Sequence, residues 1–358
     1  MTLSFAAAQE IVQSAHRYTD VFPEPCEIKT RYRRLMKVIH PDRVSPRHQG
    51  LATDLVAQLA RFYDAAQAAH RANTYGVDSP VVVMTSRHGT HRLDAEQGDY
   101  CDMTAGFRSH SKVRGSEHET FVKIARTPSD NDLLLSEAST LRLLRDTAGD
   151  EFRMFFPELV DSFVTANDRR RLQVNVVQWM DGFYNLDEIR TLRPQGLSPL
   201  HTAWIWRRLL WALGGAHGAE LIHGAVLPQH IIVHPKMHGV LLVDWCYSQQ
   251  SIGGSFEPIK AIVGSRRDWY PSAVTEKKAP SHQVDTTMAA RTMCYLLGGD
   301  AVSMKMPDAV PTAMKRYFVR ITSGVNVGSA FELLAQFDEL LQQLGSPYFP
   351  RRYRELTL

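Results

Sequence analysis

A chain of 358 residues, 44% of them apolar, is long enough for two domains that each bury a core. Its 41 basic and 38 acidic residues leave a formal charge of +3, so composition gives no nucleic-acid signal and any basic partner surface must be local. Cys26, Cys101, Cys246 and Cys294 are far apart and form no CxxC pair, which speaks against a disulfide framework or zinc knuckle and for a reducing, cytoplasmic setting.

The apolar run Leu3–Ala8 is broken by Gln9 and Glu10. It is too short for a membrane span or secretory core and reads as an amphipathic helix over residues 4–16. Ile28, Tyr32, Leu35, Met36 and Ile39 then recur at helical spacing among Lys29, Arg31, Arg33, Arg34 and Lys37, which predicts a basic amphipathic helix. His40-Pro41-Asp42 ends it, because proline disfavours helical geometry in the residue before it. A second helix follows from about Leu51 to Ala72, with Leu55, Leu59, Phe62, Tyr63 and Ala66 as its inward stripe, and the short connection predicts an antiparallel pair.

After Asn73-Thr74-Tyr75-Gly76 the pattern changes to short strands at Val81–Val83, His91–Leu93 and Thr120–Ala125, so residues 73–89 read as a linker between domains. Leu133–Arg145 returns to helical period, and Ser162–Thr165 with Leu172–Val177 predicts a hairpin turning at Asn167-Asp168. Beyond Pro199 the chain is mainly helical, strongest at Trp204–His217, Val284–Leu297 and Ala330–Leu344, with strands Ile231–Val233 and Val240–Val243 between the first two. The expected fold class is α+β, with a helical domain over 1–72 ahead of a mixed domain over 90–350.

His40-Pro41-Asp42, set between two such helices, resembles the signature loop of J-domains, with residues 31–39 and 51–69 as the family's second and third helices. The first helix departs from the pattern, being Ala-rich and without the family's aromatic spacing. The resemblance implies a DnaK-type chaperone ATPase as partner, contacted by His40, Pro41, Asp42, Arg33, Arg34 and Lys37. An acid beside a positively charged helix suits such docking, since charge complementarity steers association and fixes register. The plain alternative is that Pro41 only stops a helix whose charged side is solvated.

The second domain resembles a bilobal protein kinase, with a mixed small lobe over about 90–180 and a mainly helical large lobe over about 181–350. Phe121-Val122-Lys123-Ile124-Ala125 is similar to the kinase strand whose lysine holds nucleotide phosphates, and Glu137 follows on a helix where it can pair with that lysine. Glu96–Asp102 stands where the glycine-rich loop belongs, with Gly98 alone. Backbone amides approach phosphates closely only where side chains are absent, so this cradle is degraded. Val176–Gly182 resembles the last small-lobe strand and hinge, which implies Gln178 and Met180 at an adenine ring.

Leu221–Val233 followed by Leu241–Cys246 resembles the catalytic loop H-R-D-L-x-x-x-N and the D-F-G motif. His223 and Asp244 match, Ala225 replaces the catalytic acid, His230 replaces the asparagine, and Trp245-Cys246 replaces Phe-Gly. Trp269-Tyr270-Pro271 resembles the end of an activation segment, and Asp285 the acid that braces the catalytic-loop backbone. An alanine methyl can neither accept nor orient a hydroxyl proton. Imidazole suits a hard, oxygen-seeking cation poorly, so Asp244 is left to hold at most one metal. His230, His234 and His238 would align as metal ligands on a helix, but Ile231-Ile232-Val233 is strand-like and Pro235 interrupts it.

The resemblances together imply a J-domain co-chaperone or adaptor. It carries a pseudokinase domain for nucleotide, client or regulator, with ATP and magnesium as the implied ligand, and no membrane partner. The alternative is an atypical kinase-like transferase of phosphoryl or nucleotidyl groups, using His223 or His230 as surrogate base.

Overall fold

The computed structural model describes all residues except 1–2, 16, 46–47, 72–74, 77–81, 101–102, 166–170, 325–327, 346–347, 349 and 351–352, and omits the side chains of 54, 57, 61, 68 and 95–100. The chain forms two compact units, Met1–Val82 and Val83–Leu358.

The first unit comprises α1 (Phe5–Gln13), α2 (Tyr18–Val21), α3 (Ile28–Ile39) and α4 (Gln49–Arg71). Ser4 caps α1 by accepting from the Ala7 N–H at 3.2 Å. The helical-period residues meet as one core: Ala8 and Val12 from α1, Leu35 and Ile39 from α3, Leu55, Leu59 and Ala66 from α4. α3 stops at His40, whose extended backbone (φ −61°, ψ 133°) leads into a 3-10 turn at Pro41–Arg43. Proline is tolerated at that first turn position because its missing N–H has no partner to lose.

The second unit begins with a six-stranded sheet of order β1-β2-β3-β4-β6-β5, formed by β1 (Val82–Thr85), β2 (Gly89–Tyr100), β3 (Thr104–Val113), β4 (Ser116–Ala125), β5 (Leu159–Val164) and β6 (Gln173–Gln178). α5 (Asn131–Thr147) lies between β4 and β5 in sequence. β1 falls inside the segment expected as linker. The expected hairpin is present as β5 and β6, paired antiparallel from Val164↔Gln173, with its tip outside the described residues. The sheet curls: Ser86, just past one edge strand, donates to Asp161 Oδ2 on the opposite edge strand at 2.5 Å, and His91 of β2 reaches the same oxygen at 3.2 Å.

The remaining elements are β7 (Tyr184–Asn185), α6 (Leu186–Leu192), α7 (Pro199–Gly218), β8 (Leu221–Ile222), β9 (Ile231–His234), β10 (Gly239–Leu242), β11 (Gln249–Ile252), β12 (Ser255–Phe256), α8 (Ser272–Thr275), α9 (Gln283–Leu296), α10 (Thr312–Thr322) and α11 (Ala330–Leu344). α7 is apolar on most sides and buries Trp204, Ile205, Trp206, Leu209 and Leu213, as a helix at the centre of a lobe must. Trp206, Phe318 and Phe337 join α7, α10 and α11 through edge-to-face ring contacts. The ends of α11 follow from its sequence, since Ser329 and Glu332 form a reciprocal capping box and Gly345, at φ 82°, closes it. No helix among the described residues is long and apolar enough to cross a membrane.

Candidate functional site

β4 presents Lys123 toward the cleft because successive strand residues alternate faces: Phe121, Lys123 and Ala125 share one side, Val122 and Ile124 the other. α5 supplies Glu137 at 2 % exposure, and Lys123 Nζ donates to its Oε1 at 2.7 Å. Glu137 Oε2 accepts from Asn175 of β6 at 3.0 Å, so both its oxygens are occupied. Lys123 also donates to Asp244 Oδ1 at 2.7 Å and lies 3.3 Å from Cys246 Sγ. Burial works against the Lys123 charge, but Asp244, Cys246 and Glu137 hold its pKa well above the usual value.

Asp244 follows β10 in the left-handed region (φ 64°, ψ 62°), a conformation Asp tolerates better than most residues. The bend turns the carboxylate between two nitrogen partners, Lys123 Nζ on Oδ1 at 2.7 Å and His230 Nε2 on Oδ2 at 3.0 Å. Burial alone would raise the Asp244 pKa; Lys123 and His230 overcome it and hold it well below the carboxylate range. Trp245 turns away into the core against Phe156 and His223, its indole N–H donating to the Leu242 carbonyl at 2.9 Å.

The catalytic loop runs from β8 to β9. Asp285 at the start of α9, fully buried, accepts from the His223 N–H and the Gly224 N–H at 2.8 Å each, the bracing role expected of it. His217 lies 3.1 Å from the same carboxylate. Gly224 is at φ 76°, and a Cβ there would lie 2.6 Å from the Tyr247 carbonyl oxygen, so the position excludes an arginine.

His223 is fully buried, which pushes its pKa down to about 4. Its Nδ1 accepts from the Ala225 N–H at 3.2 Å, and its Nε2–H donates to the Val243 carbonyl at 2.9 Å. That uses its one lone pair and its one proton. His230 Nδ1 faces the Ala225 carbonyl at 2.8 Å and Nε2 faces Asp244, so both its nitrogens meet acceptors and both are satisfied when each carries a proton. Neither ring offers a free lone pair to a substrate hydroxyl. In this arrangement both rings are engaged by the loop and by Asp244, and Ala225, fully buried, supplies no acid beside them.

Other expected site residues are engaged by backbone pairing. Glu96–Tyr100 belongs to β2, and Gly98 pairs in the ladder with Phe107; the remainder of the expected phosphate loop, Cys101-Asp102, lies outside the described residues. The Gln178 amide, expected at an adenine ring, donates to the Glu158 carbonyl at 2.9 Å, and the Met180 carbonyl accepts from Phe183 at 3.4 Å. Among the three histidines of the discounted metal pattern, His234 stacks edge-on against Phe183 and His238 against Trp204, so only His230 faces the cleft.

Two features escaped the sequence reading. Phe121 takes the small-residue position two before the lysine in the V-A-I-K pattern, and a Cβ on Gly106 would overlap its ring. The large side chain on β4 thus fills the space left by the missing one on β3. The paired change was the signal. Cys246 is the second: its thiol, pushed well above its ordinary pKa by burial, completes the shell around Lys123. Glu137, Asp244 and Cys246 place ligand atoms within 4.8 Å of one another, but the Lys123 ammonium touches all three.

In the first unit the His40–Asp42 turn is solvent-facing. The Asp42 side chain is 87% exposed, and its backbone N–H donates to His40 Nδ1 at 3.2 Å. Arg33, Arg34 and Lys37 are exposed on α3, which ends at this turn.

No family model matches the chain, and no curated protein matches it in sequence. Among solved structures, the kinase domain of BubR1 superposes with a TM-score of 0.56 at 10% identity, covering 80% of this chain and 92% of that one. The chain contains a protein-kinase-like fold.

Proposed function

We propose that the kinase-like unit is a pseudokinase, a cleft that binds nucleotide, client or regulator without transferring phosphate. We further propose that the N-terminal unit is a J-domain-like module that recruits and stimulates a DnaK-type chaperone ATPase. The protein is then an adaptor whose two activities are coupled by attachment. The observation that carries the pseudokinase reading is the catalytic loop itself: Asp285 holds its backbone in place, yet Ala225 offers no base and the rings of His223 and His230 have no free lone pair. Phosphoryl transfer needs a group that orients the attacking hydroxyl. The Lys123–Glu137 pair and Asp244 support nucleotide as the cleft's ligand.

Support for the chaperone reading is the exposed Asp42 on a tight turn next to the basic face of α3, an arrangement suited to an oppositely patterned partner surface. Two assays test the whole. ATP labelled at the α or γ phosphate should leave no label on this protein or on added proteins; label that is lost in Lys123→Ala would identify an atypical transferase instead. The full chain should accelerate ATP hydrolysis by a DnaK-type chaperone, and Asp42→Asn should abolish the acceleration. Equal stimulation by both proteins would remove the chaperone role.

A further inference from the structure

Kinase-like clefts hold nucleotide through a divalent cation, and the residues of this one do not fit such an ion. Magnesium requires a near-octahedral shell of oxygens and leaves its water reluctantly. The retained carboxylate has no idle oxygen: Lys123 takes Oδ1 of Asp244 at 2.7 Å and His230 takes Oδ2 at 3.0 Å. The position of the second metal ligand is held by His230, a ring nitrogen that donates toward Asp244 where an asparagine would offer an oxygen. The ring is fixed from its other side by the Ala225 carbonyl at 2.8 Å. Glu137 is likewise closed, by Lys123 and Asn175. A divalent ion brought to Asp244 would lie against an ammonium and the proton-bearing edge of an imidazole, and like charges at such distances repel strongly in a partly desolvated cleft.

We propose that this cleft carries its counter-cation in its own side chains: His230 stands in for the divalent metal at Asp244, and a nucleoside phosphate binds there without magnesium. The identity of the ligand rests on the nucleotide reading above, whereas the exclusion of metal rests on the cleft alone. The charge arrangement makes this workable. Lys123 divides its N–H groups among Glu137, Asp244 and Cys246, so an incoming phosphate needs to displace one of three acceptors to reach it. The carboxylate that Lys123 then releases would repel the phosphate if left alone. His230 still answers that charge, which is the work a metal does in an ordinary kinase cleft.

The test uses the full chain and has two arms. In the first, Mn2+ alone is titrated and its binding followed by the loss of the free-ion EPR signal. Wild type and Asp244→Asn should give the same curve, while His230→Asn, which returns a carbonyl oxygen to the site, should bind Mn2+ roughly tenfold or more tightly than wild type. Mn2+ held by wild type and lost in Asp244→Asn overturns the proposal, and that comparison stands even if His230→Asn fails to fold. No gain in either His230→Asn or a folded His230→Gln overturns the assignment to His230. In the second arm, ATP affinity is measured by calorimetry in EDTA and in MgCl2. Wild type should bind equally in both to within about threefold, and His230→Asn should prefer magnesium by roughly tenfold. A wild-type affinity that drops tenfold or more in EDTA, by the same scale, overturns metal independence. If ATP binds under neither condition, the nucleotide reading falls and with it the ligand named here, while the Mn2+ arm still decides the exclusion of metal.

Discussion

The two ends of the catalytic loop are held by different means. At its start the contacts are made by backbone: Asp285 takes the amides of His223 and Gly224, and His223 takes the amide of Ala225 and the carbonyl of Val243. At its end the contacts are made by side chains that face the cleft, with His230 on Asp244 and Asp244 on Lys123. The first set asks nothing of the residue at position 225 except a backbone. A loop built this way keeps its shape when its catalytic acid is lost, and the cleft end is free to be rewired. The kinase-like fold therefore does not depend on the side chain at position 225.

The largest stability effect should come from the cleft end. Lys123→Ala removes the cation that pairs with Glu137, a side chain 2 % exposed, and leaves a buried carboxylate held only by the Asn175 amide. Breaking one side of such a pair costs about 3–5 kcal/mol. A denaturant melt showing less than about 1 kcal/mol, the usual range for an exposed pair, would mean that water screens the cluster and the cleft is more open than described.

The frame end should announce itself through pH. The folded protein protonates His223 only near pH 4, whereas an unfolded chain does so near 6.5. Between those values the unfolded state binds more protons, so stability declines as pH drops through that window, by about 3 kcal/mol in total from this residue. His282, half-buried and also pushed down to about 4, adds in the same direction. His110 is raised by Glu119 and Glu117 and works oppositely, but it is exposed and its share is small. The depressed carboxylates of Asp161, Asp244 and Asp285 contribute only below the ordinary carboxylate range, outside this window. Thermal melts between pH 7 and 4.5 should therefore slope downward, and His223→Gln should flatten the slope. An unchanged slope would place the titrating group elsewhere.

What could be read from sequence divides along a similar line. α11 was legible to the residue because its cap, its period and its closing glycine all agree. Asp285 was legible from the order of motifs alone. β3 was not, because its central inward positions are Ser109 and Ser111, which bury by hydrogen bonding to Thr120 and His91 and break the apolar alternation that Val113 alone cannot supply. Without β3 the chain from Glu96 to Tyr100 read as part of a loop rather than as a strand with a partner. His230 was legible as a lost metal ligand, yet its pairing with Asp244 joins residues on either side of a hairpin and appears only in three dimensions.

A milder test of the frame is Asp285→Asn. The amide can still accept from one backbone N–H, but its NH2 faces the other, leaving one buried donor pair in conflict. The expected loss is about 1–3 kcal/mol, the range for a single unsatisfied buried group. If Lys123→Ala turns out milder than Asp285→Asn, the ranking of the two ends reverses and the cleft cluster is the expendable one.

The smallest stability effect belongs to the first unit, and it completes the comparison by inverting it. At the 40–42 turn the backbone is set by Pro41 and by the Asp42 N–H on His40, so the Asp42 carboxylate, 87% exposed, has no part in holding the chain. Its 3.6 Å approach to His40 is a solvent-screened pair of little energetic weight. Asp42→Asn should therefore change the melting free energy by less than about 0.5 kcal/mol, as surface substitutions do. On the proposed chaperone reading, the same variant should lose stimulation of the DnaK-type ATPase, so stability and activity part company at one residue. A variant that loses both would place Asp42 in the frame of its turn. A variant that loses neither would leave the exposed acid without a partner function and confine the case for function to the kinase-like unit.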